Sequence, residues 1–257
     1  MKKYLRPKYL PLIVLAFSAL GLLLRLWTVG SGPDENNLYA PNPLAWILLW
    51  LVTAGAAAAI LLTTAPLKYP GRYASNFPAS LPGAVGTGLA ALAVMISGLE
   101  MVTSSTDALT TITGLLGAAS AIALVTVAFA RFNGKRPSFL LHAAMCLFFA
   151  LRIFIKCRLW SNEPQLGTFI MPFLASVSIM LASYQQASFD VDLGNRRHSL
   201  FWSLMGVYFC IVALPACDEP LFYILLAVWL LTNLCSLRML KPKVQEPDPE
   251  QEPQADL

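Results

Sequence analysis

Apolar residues run in long, nearly unbroken stretches along this chain, and the polar and charged positions gather in short intervals between them. A transmembrane helix needs about 20 largely apolar residues. Eight stretches approach or meet that length, near residues 9–29, 44–65, 81–102, 108–131, 139–160, 169–189, 200–216 and 221–240. The third is the least apolar and the seventh is short, so the charges of the intervening loops serve as an independent check on the count.

Those charges alternate. Lys2, Lys3, Arg6 and Lys8 precede the first stretch, and Lys68 with Arg72, Arg131 with Lys135 and Arg136, Arg196 with Arg197, and Arg238 with Lys241 and Lys243 follow the second, fourth, sixth and eighth. Fourteen of the eighteen basic residues thus fall on one side of an eight-span arrangement. The opposite loops carry Asp34, Glu35, Asp107, Glu163, Asp218 and Glu219 without a lysine or arginine. By the positive-inside rule both termini are expected in the cytoplasm.

Local punctuation agrees. Ser80, Asn162 and Asp218 each stand two residues before a proline and Asn42 directly before one, which is helix-start chemistry. The same logic assigns Asp107, Glu163, Asp218 and Glu219 to helix capping, where a helix dipole favours negative charge.

The second to fourth stretches hold small-residue runs, Gly55–Ala59 and Gly114–Ala121, that let helix backbones approach closely. The second half concentrates aromatic residues instead. Arg25-Leu26-Trp27 ends the first stretch and Arg158-Leu159-Trp160 the fifth, a recurrence that suggests two parallel four-helix halves of the kind transporters use. Chance, or an interfacial anchor of tryptophan and snorkelling arginine, accounts for it as well.

Composition adds the class. With 57% hydrophobic and 12% charged residues, the chain belongs to all-α polytopic integral membrane proteins, with the lipid bilayer as its first partner. Its net charge of +4 does not point to nucleic acid, because the basic residues sit in separated clusters rather than along one face. The basic opening is followed by an apolar run too long for a cleaved signal, so it is expected to remain as a span. Residues 241–257 are acidic and proline-rich and are expected to be a disordered cytoplasmic tail. Compactness and the lack of organelle signals lead to the expectation of a bacterial-type plasma membrane.

The one stretch with a heavy charge load is 139–160, which carries Arg152, Lys156 and Arg158 in its final third. A charge near the bilayer midplane costs about 2.5–3.5 kcal/mol on insertion scales, so such a residue faces a partner, a cavity or a ligand. His142, Met145, Phe149, Arg152, Lys156 and Trp160 recur at steps of three or four and share one helix stripe. The expected ligand-binding set is Arg152, Lys156 and Arg158, with Glu100 and Arg25 at similar depth. Within it, Lys156 is expected to be neutralised by Glu100, with Arg25 the competing partner, leaving Arg152 for an anionic small molecule or lipid headgroup. Snorkelling or pairing of both cations with Glu100 is the plainer alternative.

Neither histidine has the convergent ligands of a zinc site, and the five cysteines lack metal or redox spacing, though Cys157 and Cys217 fall at one level and raise the question of a disulfide. No phosphate-binding loop, HExxH, GxSxG or dinucleotide fingerprint occurs, so no catalytic residue, metal or cofactor is assigned. The function expected first is a permease or membrane binding subunit for a small, possibly anionic, ligand; the alternatives are a non-catalytic assembly or sensory partner in the membrane and, after it, an intramembrane transferase. The first expects a polar cavity reaching Arg152, the second a filled core, and the third an acid and base converging in a cleft.

Overall fold

A computed structural model describes residues 10–30, 42–65, 71–104, 107–161 and 166–237. The predicted tail 241–257, the first basic cluster and Glu163 lie outside them. The described residues are helical, with no strand among them: α1 (Leu10–Gly30), α2 (Pro43–Thr64), the short α3 (Tyr73–Asn76), α4 (Leu81–Ser104), α5 (Ala108–Phe132), α6 (Phe139–Trp160), α7 (Leu166–Asp190), α8 (Arg196–Ala213) and α9 (Pro220–Ser236). Six of them, with α8 prolonged by a 3₁₀ turn over Leu214–Ala216, are long and apolar enough to cross a membrane by length and composition, and α9 is a shorter apolar helix.

The starts follow the predicted chemistry in two places. The Asn42 side chain accepts from the Leu44 amide at 3.1 Å, with Pro43 as the first helical residue of α2. Ser80 Oγ accepts from the Gly83 amide at 3.2 Å at the head of α4. The carboxylates depart from prediction: Asp107 and Glu219 stand at the cap positions of α5 and α9, but neither side chain makes a capping hydrogen bond. They are engaged elsewhere, as described below.

Packing joins α4 to α5, α5 to α6, α6 to α7, α7 to α8, α8 to α9 and α9 back to α4, a closed ring of six helices. The α1–α2 hairpin lies outside this ring against α8. The grouping is therefore a hairpin on a ring, with α4 shared between α5 and α9, and it does not follow the expected division into two four-helix halves.

Side chains of α6, α7 and α9 fill the ring. Phe149 of α6 meets Phe222 of α9 with centroids 5.9 Å apart, and the Tyr223 hydroxyl reaches the Pro172 carbonyl of α7 at 3.4 Å. Phe148, Met145, Trp229, Leu226 and Leu230 are buried with them. The hairpin docks through Thr53, whose hydroxyl lies 2.8 Å from that of Tyr208 in α8.

Small residues act where the helices come closest. A Cβ on Gly98 would lie 2.8 Å from the Gly114 carbonyl oxygen, and one on Gly114 would lie 2.6 Å from the carbonyl oxygen of Gly98. Both clashes are with backbone, so relief requires moving a helix. Gly98→Ala is expected to lower stability by about 1–3 kcal/mol, as overpacking does. Gly88→Ala, on the same helix with open space around it, should be neutral or mildly stabilising by up to about 1 kcal/mol. Thermal unfolding of the two variants in detergent checks the contrast.

Candidate functional site

The predicted stripe on α6 faces inward: His142, Met145, Phe149, Arg152 and Trp160 are all buried and Lys156 is half-buried. Helix periodicity alone places them on one line. At one end of the bundle that line meets the acidic α8–α9 link, and at the other it meets the end of α7.

At the acidic end Arg152 is only 1% exposed. Its Nη2 lies 2.9 Å from Glu219 Oε1, its Nη1 donates to Ser97 Oγ of α4, and its guanidinium sits 4.3 Å from the centroid of the Phe222 ring. Lys156 Nζ lies 3.2 Å from Asp218 Oδ2 and 3.5 Å from Glu219 Oε1. Arg158, more exposed, pairs with Asp107 at 3.0 Å. All three cations of α6 thus take their partners from the loop carboxylates that the sequence assigned to capping.

Burial alone would raise the Glu219 carboxyl, but Arg152, Lys156 and hydrogen bonds from Arg152 and Ser97 outweigh it and hold the group below its ordinary value. Burial pushes the neighbouring Cys217 thiol up to about 11, which favours its protonated form. Cys157 and Cys217 are both free thiols, and so are the other three cysteines. The recess beside Arg152, between Lys156, Trp160, Phe169, Cys217, Asp218 and Tyr223, has a volume of about 10 Å³. That is room for one water molecule at most.

The remaining predicted residues are dispersed. Glu100 is exposed on α4 and, in place of the expected pair with Lys156, lines a separate cleft against the start of α9. Arg25 is buried in α1, with its guanidinium 5.9 Å from the Trp46 ring centroid of α2. The α6 cations Arg152 and Lys156 therefore pair with Asp218 and Glu219, while Glu100 shares a cleft with those two carboxylates without pairing with Lys156, and Arg25 lies on α1 against Trp46.

A second polar cluster, at the basic end, escaped the sequence reading. His142 Nδ1 lies 2.5 Å from Asp190 Oδ2 with both side chains buried. The guanidinium of Arg131 stacks 4.0 Å from the Phe77 ring centroid beside this pair. Asp192 holds the surrounding segments together, accepting from the Tyr73 amide and from Arg136 Nη1, each at 2.8 Å. It does so from a left-handed backbone, φ 61°, a conformation that aspartate tolerates better than most residues. Arg136 Nε also donates to the Asp190 carbonyl, and Arg196 donates to Asn76 at 3.2 Å. Burial, reinforced by Asp190 and opposed by Arg131, moves the Tyr73 hydroxyl above its ordinary value. The only available signal was that Asp190 and Asp192 are acids in an otherwise basic interval. Among the described residues no group of three or more histidine, cysteine, aspartate or glutamate side chains is placed to hold a metal ion.

Two measurements test the acidic-end network. Removing one partner of a buried pair costs about 3–5 kcal/mol because the other is left charged and unpaired. Arg152→Gln and Glu219→Gln should each lose stability on that scale, and the double variant should lose at least about 1 kcal/mol less than their sum. Glu100→Gln should stay within about 0.5 kcal/mol and add independently to either. The second test is pH. Because the Glu219 carboxyl is more acidic folded than unfolded, its contribution is full above the ordinary value of 4.5 and drains away as pH falls through the lower folded value. Wild-type stability should drop below pH 4.5 more steeply than that of Glu219→Gln, as read by unfolding at a series of pH values. No family model, no curated protein and no solved structure matches this chain.

Proposed function

We propose that this is a non-catalytic assembly or sensory partner in a bacterial-type plasma membrane. In this reading eight helices cross the bilayer and both termini are cytoplasmic. The observation that carries it is the closure around Arg152: the deepest charge of α6 is neutralised by Glu219, hydrogen-bonded to Ser97 and covered by Phe222. A filled ring is what a packed membrane partner requires, and a permease using Arg152 would need an open path to it. The eight-span count draws on the six long apolar helices, the shorter α9, and α7, a 25-residue helix with Pro172 inside it. Its orientation rests on Arg131, Lys135, Arg136, Arg196 and Arg197 lying at one end and Asp107, Asp218 and Glu219 at the other.

The small-ligand reading keeps one observation in its favour. Arg152 and Lys156 line the same small recess beneath a link in which Asp218 is exposed, so displacement of that link would present two cations to an anion. One experiment separates the two readings. In a cysteine-free background, Asp218→Cys, Lys135→Cys and Tyr223→Cys are treated in intact cells with a membrane-impermeant maleimide. Asp218→Cys should label from outside and Lys135→Cys only after permeabilisation. Tyr223→Cys, beside Arg152, should react at least about a hundredfold more slowly than Asp218→Cys, given an opening free energy of about 2.7 kcal/mol or more. Rapid labelling of Tyr223→Cys would favour the permease, and external labelling of Lys135→Cys would invert the topology.

A further inference from the structure

Glu100 stands apart from the network that absorbs every other carboxylate described at the acidic end. It lies at a cleft of about 220 Å³ between α4 and α9, far larger than the space beside Arg152 and opening where Ile96, Glu100 and Leu221 are exposed. Ala93, Ile96, Phe222 and Leu225 give apolar wall, and the polar side chains are Ser97, already bonded to Arg152, and the carboxylates Glu100, Asp218 and Glu219. Glu219 is committed to Arg152 and Asp218 to Lys156. Three carboxylates therefore meet two basic groups, and among the described residues Glu100 has no ion pair. A carboxylate in that position, beside surface that faces hydrocarbon, either takes up a proton or meets a cation.

We propose that this cleft binds an amphiphilic primary amine, with the ammonium between Glu100 and Asp218 and the apolar chain on Ile96, Phe222 and Leu225. A single positive charge restores neutrality. An ammonium has three donors, enough to serve both carboxylates while Asp218 keeps Lys156. The apolar walls select a chain over a hydrated inorganic cation, and the ring interior takes no part. The site borders the closure around Arg152 through Ser97, Glu219 and Phe222, but it turns on Glu100, which that closure does not use, so the failure of one reading can be told from the failure of the other.

The test uses the full chain in maltoside micelles, titrated calorimetrically with octylamine at pH 7. Saturable 1:1 binding is expected, weakened at least tenfold by Glu100→Gln, which removes the charge, and by Ile96→Trp, which fills the cleft and keeps it. Asp107→Asn, at the same end but outside the cleft, should bind as wild type does. Octanol and octanoate should not bind saturably. Unsaturable partition of octylamine, equal affinity in Glu100→Gln, or equal affinity in Ile96→Trp would each overturn the proposal.

Discussion

A guanidinium held in a bilayer needs its countercharge supplied from within the protein, and Arg152 obtains it from Glu219, which belongs to a different helix pair. That pairing determines much of the acidic end. It draws the α8–α9 link over the mouth of the ring, seats Phe222 against the guanidinium, and engages Ser97 of α4 as a bridge, since Ser97 accepts from Arg152 and donates to Glu219. Three helices are thereby fixed by one charge. Such a pair gains less than its Coulomb energy suggests, because both ions are stripped of water, but breaking it is costly. Its strongest effect is on which arrangement of helices is allowed.

The sequence disclosed what depends on local chemistry. Apolar length located the helices to within a few residues, and Asn42 and Ser80 cap where their prolines indicated. Steps of three and four correctly placed His142 through Trp160 on one buried face. The seventh apolar stretch is short because its helix opens on the charged Arg196 and Arg197: α8 begins at Arg196 and is prolonged by a 3₁₀ turn to Ala216. Partner choice was hidden for a physical reason. Glu100 and Lys156 were matched by depth along their helices, yet depth does not say which helices are neighbours or where a loop folds. Asp218 and Glu219 were read as caps because capping is visible within four residues, while a salt bridge to a helix some sixty residues earlier is not. The His142–Asp190 pair was obscured in the same way, by an acid that counted merely as a loop charge.

The two ends of α6 solve the problem of buried polarity differently. At the acidic end cations from the helix meet carboxylates carried on links. At the basic end the carboxylate of Asp190 comes from a helix and is shared between an imidazole and the neighbourhood of Arg131, with the α3 segment laid across it. Aromatic residues occupy the space between, from Phe148 and Phe149 to Trp229. The helix is consequently pinned at both ends by polar contacts and in the middle by volume, and rotation about its axis would disturb all three.

The docking of the α1–α2 hairpin bears on the order in which the molecule is assembled. Thr53 and Tyr208 are separated by 155 residues, so at a synthesis rate of about 5–20 residues per second the hairpin waits roughly 8–30 s before its partner helix emerges. During that interval it lacks the helix it finally packs against. The Thr53 hydroxyl is equipped for the delay, because it also donates to the Leu49 carbonyl one turn earlier at 2.8 Å and so never lacks an acceptor. The α1–α2 hairpin therefore reaches its permanent place only once α8 has been made, and until then Thr53 is kept satisfied by its own helix.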